Sequence, residues 1–255
     1  ALLARDEPAA VRKLVLDHGL VTLYHCGPVF EKVGVSAVVF VANKADEEGK
    51  VTVFTRDGVT PVLVGYRRAS DFRNDAFRFT IYAGGSDAGI LDNLEAQSLP
   101  LETYVRISRG EELGKKNVRD SGRIPIVVGE DISRYCLASP TRFIEKAAKV
   151  QSNYDAPKIM MVKTGSRVVA TLDQDGVVTM QSVYNIHLKP SCPYDIRYIL
   201  GMMGSKLLSF FANRRFTSYK KVFPQFNQSN VLSFPIRTID FEAPDDRKRH
   251  ERMVA

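Results

Sequence analysis

Between Lys158 and Leu188 the chain offers three β-rich runs with almost no room between them. The runs are Lys158–Lys163, Arg167–Leu172 and Val177–Leu188, separated by Thr164-Gly165-Ser166 and by Asp173-Gln174-Asp175-Gly176. Glycine with Ser, Thr, Asp or Asn over three or four residues is turn chemistry, and connections that short join antiparallel neighbours. A parallel pair would need a crossover of a dozen residues or more. The second part of the chain is therefore expected to be β-rich, with hairpins joining these runs. Helical sequence follows from Tyr194 to Met203 and from Ser205 to Ala212, with Ser205 placed to cap the second helix. The charged tail from Ala243 onward is expected to fray or to form a short exposed helix.

The first part reads differently. Residues 8–17 have helix-forming spacing, and Leu20–Tyr24 reads as a strand ending in the turn Cys26-Gly27-Pro28. Val33–Val41 is a nearly continuous β-branched run, the pattern of a strand buried on both faces. A polar turn, Asn43–Lys50, leads to a further strand at Val51–Thr55. Residues 56–98 are mixed, with Gly84-Gly85-Ser86 as a breaker and a short helix at Ile90–Ala96, and are taken as a connection between domains. The expected organisation is thus residues 1–55, a connection over 56–99, and a second domain over 100–255.

Charge separates the two parts further. The net charge is +7, but residues 1–99 carry 11 Lys+Arg against 13 Asp+Glu, whereas residues 100–255 carry 25 against 16. Between Asp195 and Asp240 there is no acidic residue, while Arg197, Lys206, Arg214, Arg215, Lys220, Lys221 and Arg237 all fall there. A solvated surface usually mixes its signs, so a one-signed run calls for an anionic partner, with nucleic acid as the first candidate and a plain basic surface as the alternative. The expected DNA contacts are Arg214, Arg215, Lys220 and Lys221 in that run. Arg109, Lys115, Lys116, Lys163 and Arg167 join them, because they lie at turns where side chains leave the sheet; Lys32 and Gln225 complete the set.

Several chemistries are disfavoured. Cys26, Cys136 and Cys192 are odd in number and form no CxxC pair, which suggests neither a disulfide framework nor a zinc site. Glu48-Gly49-Lys50 imitates part of a nuclease site, but its flanking Asp46-Glu47 fit an exposed turn better. Gly201-Met202-Met203-Gly204-Ser205-Lys206 is too tightly spaced for a phosphate loop. No apolar stretch approaches the length of a membrane span, and the first residues are acidic where a signal peptide would be basic, so a cytoplasmic location without membrane contact is expected. By its own residues the chain reads as a binding module. A protein-interaction module whose basic patch meets an acidic partner is the reading from a different class.

Five segments in order resemble the C-terminal part of the TaqI-type adenine-specific DNA methyltransferases. They are Gly27-Pro28-Val29-Phe30 with Val35–Val39, Arg106–Lys116, Ile124–Ile132, Lys158–Leu188, and Leu200–Ile236 with its Val222-Phe223-Pro224-Gln225 and Phe234-Pro235-Ile236 endings. The resemblance implies an α+β chain: the C-terminal remnant of an α/β methyltransferase sheet, then a β-rich mixed target-recognition domain with helices near its C-terminus. It implies recognition of a short sequence in double-stranded DNA, with Phe30 contacting an adenine flipped out of the helix. The family's Asn-Pro-Pro-Tyr/Phe tetrapeptide and its glycine-rich turn for S-adenosylmethionine are absent from these residues. The resemblance places both before residue 1, so no catalytic residue and no cofactor is expected in this chain, S-adenosylmethionine belonging to the intact parent. That parent is expected to belong to a restriction-modification system, with a restriction subunit or fused endonuclease as a further partner. The alternative within the same biology is a separate DNA-specificity subunit, against which residues 8–55 argue.

Overall fold

A computed structural model describes residues 8–30, 36–44, 49–73, 77, 79, 86–114, 117–216 and 225–255. The chain divides into two compact units, residues 1–92 and 93–255.

In the first unit, helix α1 (Ala9–Asp17) precedes four strands: β1 (Leu20–Pro28), β2 (Ser36–Ala42), β3 (Lys50–Asp57) and β4 (Thr60–Arg68). They form one sheet in the order β2-β1-β3-β4, with β1 and β3 parallel and the outer pairs antiparallel. Side chains alternate along a strand, and the register sorts them cleanly. Leu23 and His25 on β1 share a face with Val51 and Val53 on β3, and all four are buried. Helix α1 packs against β1 and buries Arg12, Val15 and Leu16.

Among the described residues the opposite face is only partly covered. Tyr24 pairs with Val39, Thr22 with Val41, Phe54 with Leu63 and Thr52 with Tyr66, so these residues share one side of the sheet. Val39, Val41, Leu63 and Tyr66 are each about half exposed, at 52, 50, 48 and 54%. The expectation of a strand buried on both faces at Val33–Val41 is therefore corrected. β2 is an edge strand, and no described residue lays a second layer over Val39 and Val41; residues 33–35 lie outside the described residues. Two further differences concern extent. The expected turn at Cys26-Gly27-Pro28 is the end of β1, irregular in register after His25, with Gly27 at φ 65°. The sheet also continues past residue 55 through β4, where a connection was expected.

His25 gives this unit a pH dependence. Burial depresses its pKa to about 4 from 6.5, because the charged imidazolium cannot keep its hydration inside the fold. The unfolded chain takes up the proton first, so the stability present above pH 6.5 is lost as pH falls towards 4. The loss should reach about 3 kcal/mol. Denaturant melts of the chain between pH 7 and pH 4, followed by a first-unit probe, should show it. In His25→Asn the dependence should flatten, and an equally steep fall in that variant would assign it to other groups.

Helix α2 (Ser86–Ala96) spans the division between the units. The second unit then runs through β5 (Ser98–Pro100), β6 (Val105–Arg109), β7 (Ile124–Val127), β8 (Ile132–Ser133), β9 (Cys136–Leu137), β10 (Arg142–Ile144), β11 (Lys158–Val162), β12 (Ala170–Asp173), β13 (Val178–Thr179) and β14 (Val183–Leu188). Helices α3 (Ile196–Met203), α4 (Lys206–Phe216) and α5 (Gln228–Leu232), strand β15 (Pro235–Arg237) and helix α6 (Pro244–Val254) complete it.

The main sheet is antiparallel throughout, ordered β12-β11-β14-β6. A second sheet is ordered β10-β7-β13, with β7 and β13 parallel. The run Val177–Leu188, expected as one strand, is split between the two. The chain bends at Met180, where the Val183 amide donates to the Met180 carbonyl at 2.9 Å, and the Gln181 amide donates to the Glu111 carbonyl at 2.8 Å. Strand β7 contributes to two apolar clusters, one on each of its faces. Its Ile126 joins Ile144, Tyr154, Val178 and Met180 on one side, while Val127 joins Ile132, Met160 and Val183 on the other.

Where β11 meets β12, Lys158 faces Asp173, and both side chains are fully buried as an ion pair. The Lys158 Nζ also donates to the Tyr154 carbonyl at 2.9 Å, and the Asp173 carboxylate accepts the amides of Asp175 and Val177 at 2.9 and 3.0 Å. Burial pulls the Lys158 pKa down and the neighbouring carboxylate opposes it. Asp173 thereby organises the Asp173–Gly176 turn, which leads into β13 rather than closing a hairpin.

The helices start where the residues specify. Asp195 caps α3 by accepting the Arg197 amide at 2.7 Å, and the Ser205 hydroxyl accepts the Leu208 amide at 3.0 Å. The tail does not fray: α6 begins at Pro244, and its His250 ring packs 5.0 Å from that of Tyr198 and 5.2 Å from that of Phe241. No helix among the described residues is long and apolar enough to cross a membrane.

Candidate nucleic-acid interface

At one edge of the main sheet β6 and β11 end and β14 begins. Arg109, the last residue of β6, pairs with Tyr184 near the start of β14, and Lys163 follows the last residue of β11. Thr164 then bridges to Gln225, the Phe226 amide donates to the Lys163 carbonyl at 2.9 Å, and the Tyr184 hydroxyl donates to the Phe226 carbonyl at 3.1 Å. Arg109, Lys163 and Gln225, three residues far apart in sequence, are thereby brought to one edge.

The tetrapeptide Arg109-Gly110-Glu111-Glu112 divides the work of building that edge. Gly110 is required by close approach, since a Cβ there would lie 2.4 Å from the carbonyl oxygens of both Thr179 and Met180. Glu111 is fully buried and accepts from the Ala148 and Lys149 amides at 3.1 and 2.9 Å and from the Tyr154 hydroxyl at 2.8 Å. Burial, with the Glu111 carboxylate beside it, pushes the Tyr154 phenol well above its usual range. Glu112 turns outward and meets the Arg109 guanidinium at 3.0 Å. Lys163 feels this neighbourhood: partial burial lowers its pKa first, the Arg109 charge lowers it further, and Glu112 offsets part of the effect.

The loop after Lys163 is fastened to α4. The Asn213 side chain donates to the Ser166 carbonyl at 2.7 Å, and the Val168 amide donates to the Ser209 hydroxyl at 3.2 Å. Arg167 stands exposed on this loop, which is longer than the expected three-residue turn because β12 begins only at Ala170. Two further basic candidates lie in the last turn of α4. The Arg214 guanidinium lies over the Phe210 ring, 5.3 Å from its centre. Arg215 is engaged elsewhere: its guanidinium makes a forked pair with Glu95 at 2.6 and 2.8 Å. That pair occupies the Arg215 guanidinium in this structure.

Phe30 lies beyond the end of β1 and is 62% exposed, so it is not a core side chain. Lys32, Lys115, Lys116, Lys220 and Lys221 lie outside the described residues. The sequence reading missed Glu112, whose signal was a carboxylate three residues after an arginine. It also missed Ser209 and Asn213, whose role depends on long-range packing that no local pattern reports. Among the described residues, no group of three or more His, Cys, Asp or Glu side chains is placed to hold a metal ion.

The chain has no match among curated proteins. Over its whole length it is similar in fold to the type IIL restriction-modification enzyme MmeI solved in complex with DNA, with a TM-score of 0.55 and 10% identity over 99% of this chain and 40% of that one. The type IIG restriction endonuclease BpuSI aligns over 99% of this chain and 41% of its own, with a TM-score of 0.45 and 12% identity. The HsdS subunit from Thermoanaerobacter tengcongensis aligns over 66% of this chain and 42% of its own, with a TM-score of 0.45 and 9% identity. The chain thus spans about two fifths of the length of these proteins. Residues 124–236, which hold β7 to β15 and the Lys163, Arg167 and Gln225 positions, match the model of one family, the TaqI-like C-terminal specificity domain.

Proposed function

We propose that this chain supplies sequence-specific recognition of duplex DNA to an adenine-specific, S-adenosylmethionine-dependent DNA methyltransferase of a restriction-modification system. The observation that carries the reading is the convergence of Arg109, Lys163 and Gln225 on one sheet edge, beside the loop that presents Arg167. Cationic side chains at such an edge suit phosphates, whereas an exposed amide such as Gln225 can pair with the donor and acceptor of an adenine edge. Lys115, Lys116, Lys220 and Lys221 belong to the same proposal on charge alone, and Lys32 accompanies Phe30.

The first unit supports the methyltransferase part. A four-stranded sheet with a parallel central pair and one partly covered apolar face is the form expected of the last strands of a larger α/β sheet. A separate specificity subunit would have no use for such a sheet. Methyl transfer, with S-adenosylmethionine as donor, belongs in this reading to the intact parent, and no residue of this chain is assigned a step in it.

The test is the salt dependence of binding. Anisotropy of a labelled random-sequence duplex with the whole chain should give a log–log slope that steepens by about 0.9 for each phosphate engaged. No binding at low salt would remove the proposal.

Phe30 is proposed to contact the extruded adenine. Its exposure means that Phe30→Ala in the intact parent should leave the melting temperature nearly unchanged. Loss of a base–aromatic contact worth about 1–3 kcal/mol should lower methylation roughly 5- to 150-fold. It should also change the fluorescence of 2-aminopurine at the target adenine. Normal 2-aminopurine behaviour in that variant would deny Phe30 this role.

A further inference from the structure

A second surface of residues 93–255 has another chemistry. Helix α6 packs on α3, with the Met253 side-chain methyl reaching Gly201 so closely that a Cβ there would lie 2.9 Å from it. Between the two helices and the residues around β15 opens a cleft of about 350 Å³. Tyr198, Met202, Ile239 and Met253 contribute its apolar lining, and Arg237, Arg249 and Arg252 stand around them.

The charges at this cleft do not balance. Asp246 meets Arg249 at 2.5 Å and Arg237 at 3.7 Å, and it also accepts the Asp240 amide at 3.3 Å. Arg237 donates in addition to the Gln97 side chain at 2.6 Å. Two of the guanidinium groups, those of Arg237 and Arg249, thus share the Asp246 carboxylate, and Arg252 is exposed on the last turn of α6.

We propose that this cleft docks an acidic amphipathic helical segment of a partner protein, with apolar side chains seated between Met202 and Met253 and carboxylates on Arg249 and Arg252. Thioether side chains adapt to irregular apolar partners, and arginine and methionine are enriched at protein interfaces. A nucleic-acid backbone would satisfy the arginines but would leave the apolar lining wet, so charge and lining together favour a protein. The cleft has room for a few side chains rather than a whole helix, which suits a segment lying across it. The inference does not depend on the DNA reading.

The probe is a fluorescein-labelled helical peptide with leucines at i, i+3, i+4 and i+7 and glutamates flanking them, titrated against the whole chain by polarisation. Saturable binding at micromolar concentration is expected, with shifts of the Met202 and Met253 methyl signals. The same peptide with lysine in place of glutamate should not bind. Arg249→Glu with Arg252→Glu should weaken binding at least tenfold. Because Arg249 also pairs with Asp246, Arg252→Glu alone is the second variant, and it should weaken binding several-fold with an unchanged melt. No saturable binding, or binding indifferent to Arg252→Glu, would overturn the proposal. Displacement of the peptide by random duplex DNA would overturn it too, by assigning the cleft to nucleic acid.

Discussion

Asp173→Ala is expected to be among the most destabilising single substitutions in this protein. It would leave the Lys158 ammonium fully buried beside a truncated partner and orphan the amides of Asp175 and Val177. Breaking a buried pair from one side costs about 3–5 kcal/mol, because the remaining charge keeps its desolvation penalty and loses its compensation. For a unit of this size that corresponds to a fall in melting temperature of roughly 10 °C. The pair as a whole need not be stabilising, since apolar residues of similar volume can replace such pairs at little cost. Lys158→Met with Asp173→Leu should therefore recover much of the loss, leaving the cost of the two turn amides. Calorimetry on the three proteins checks this. An Asp173→Ala melt within a degree or two of the parent would show that the pair does not hold β11 to β12.

Reversing two charges at the sheet edge should have the largest effect on binding. Arg109→Glu with Lys163→Glu removes two cationic contacts and adds repulsion beside Glu112. Each phosphate contact contributes a factor of about 8 near 0.1 M salt, so affinity for a random duplex should fall by roughly 60-fold or more. The log–log salt slope should flatten by about 1.8. Arg215→Ala is the matched control: its partner is Glu95, so it should leave the slope unchanged. An unaltered slope in the double reversal would place the DNA on another surface.

These expectations differ in how much of them could be read from sequence. The runs around Lys158 and Val183 announced themselves through β-branched density and turn chemistry, and Ser205 through its position before a helical pattern. The break at Met180 carried no local signal, because it is imposed by pairing with β7 and with Glu111, residues 50 or more positions away. Lys158 illustrates the same limit. A lysine opening a strand reads as a solvated charge, and only the cross-strand register with Asp173 reveals it as buried. Arg109, Lys163 and Arg167 were singled out because turn positions release side chains from a sheet, and whether the first two meet DNA is what the double reversal tests. The pairing of Arg215 with Glu95 left no trace in sequence, because charge counting cannot see a partner 120 residues away. The β-branched run before Ala42 was assigned two covered faces because composition reports hydrophobicity, whereas coverage depends on what packs there.

The fastening of residues 163–169 bears on how a protein of this type could change its target. The loop is held to α4 through the Ser166 carbonyl and the Val168 amide, both main-chain groups that survive substitution of the residues bearing them. The carboxylates that set the framework, Glu111 and Asp173, lie apart from it in the interior. If the loop reads DNA as proposed, its ligand-facing residues can drift while the anchors remain, so novelty in recognition and integrity of folding become separable traits under selection. Grafting this short stretch from a relative of different preference, with Ser209 and Asn213 retained, would be a compact route to an altered reader.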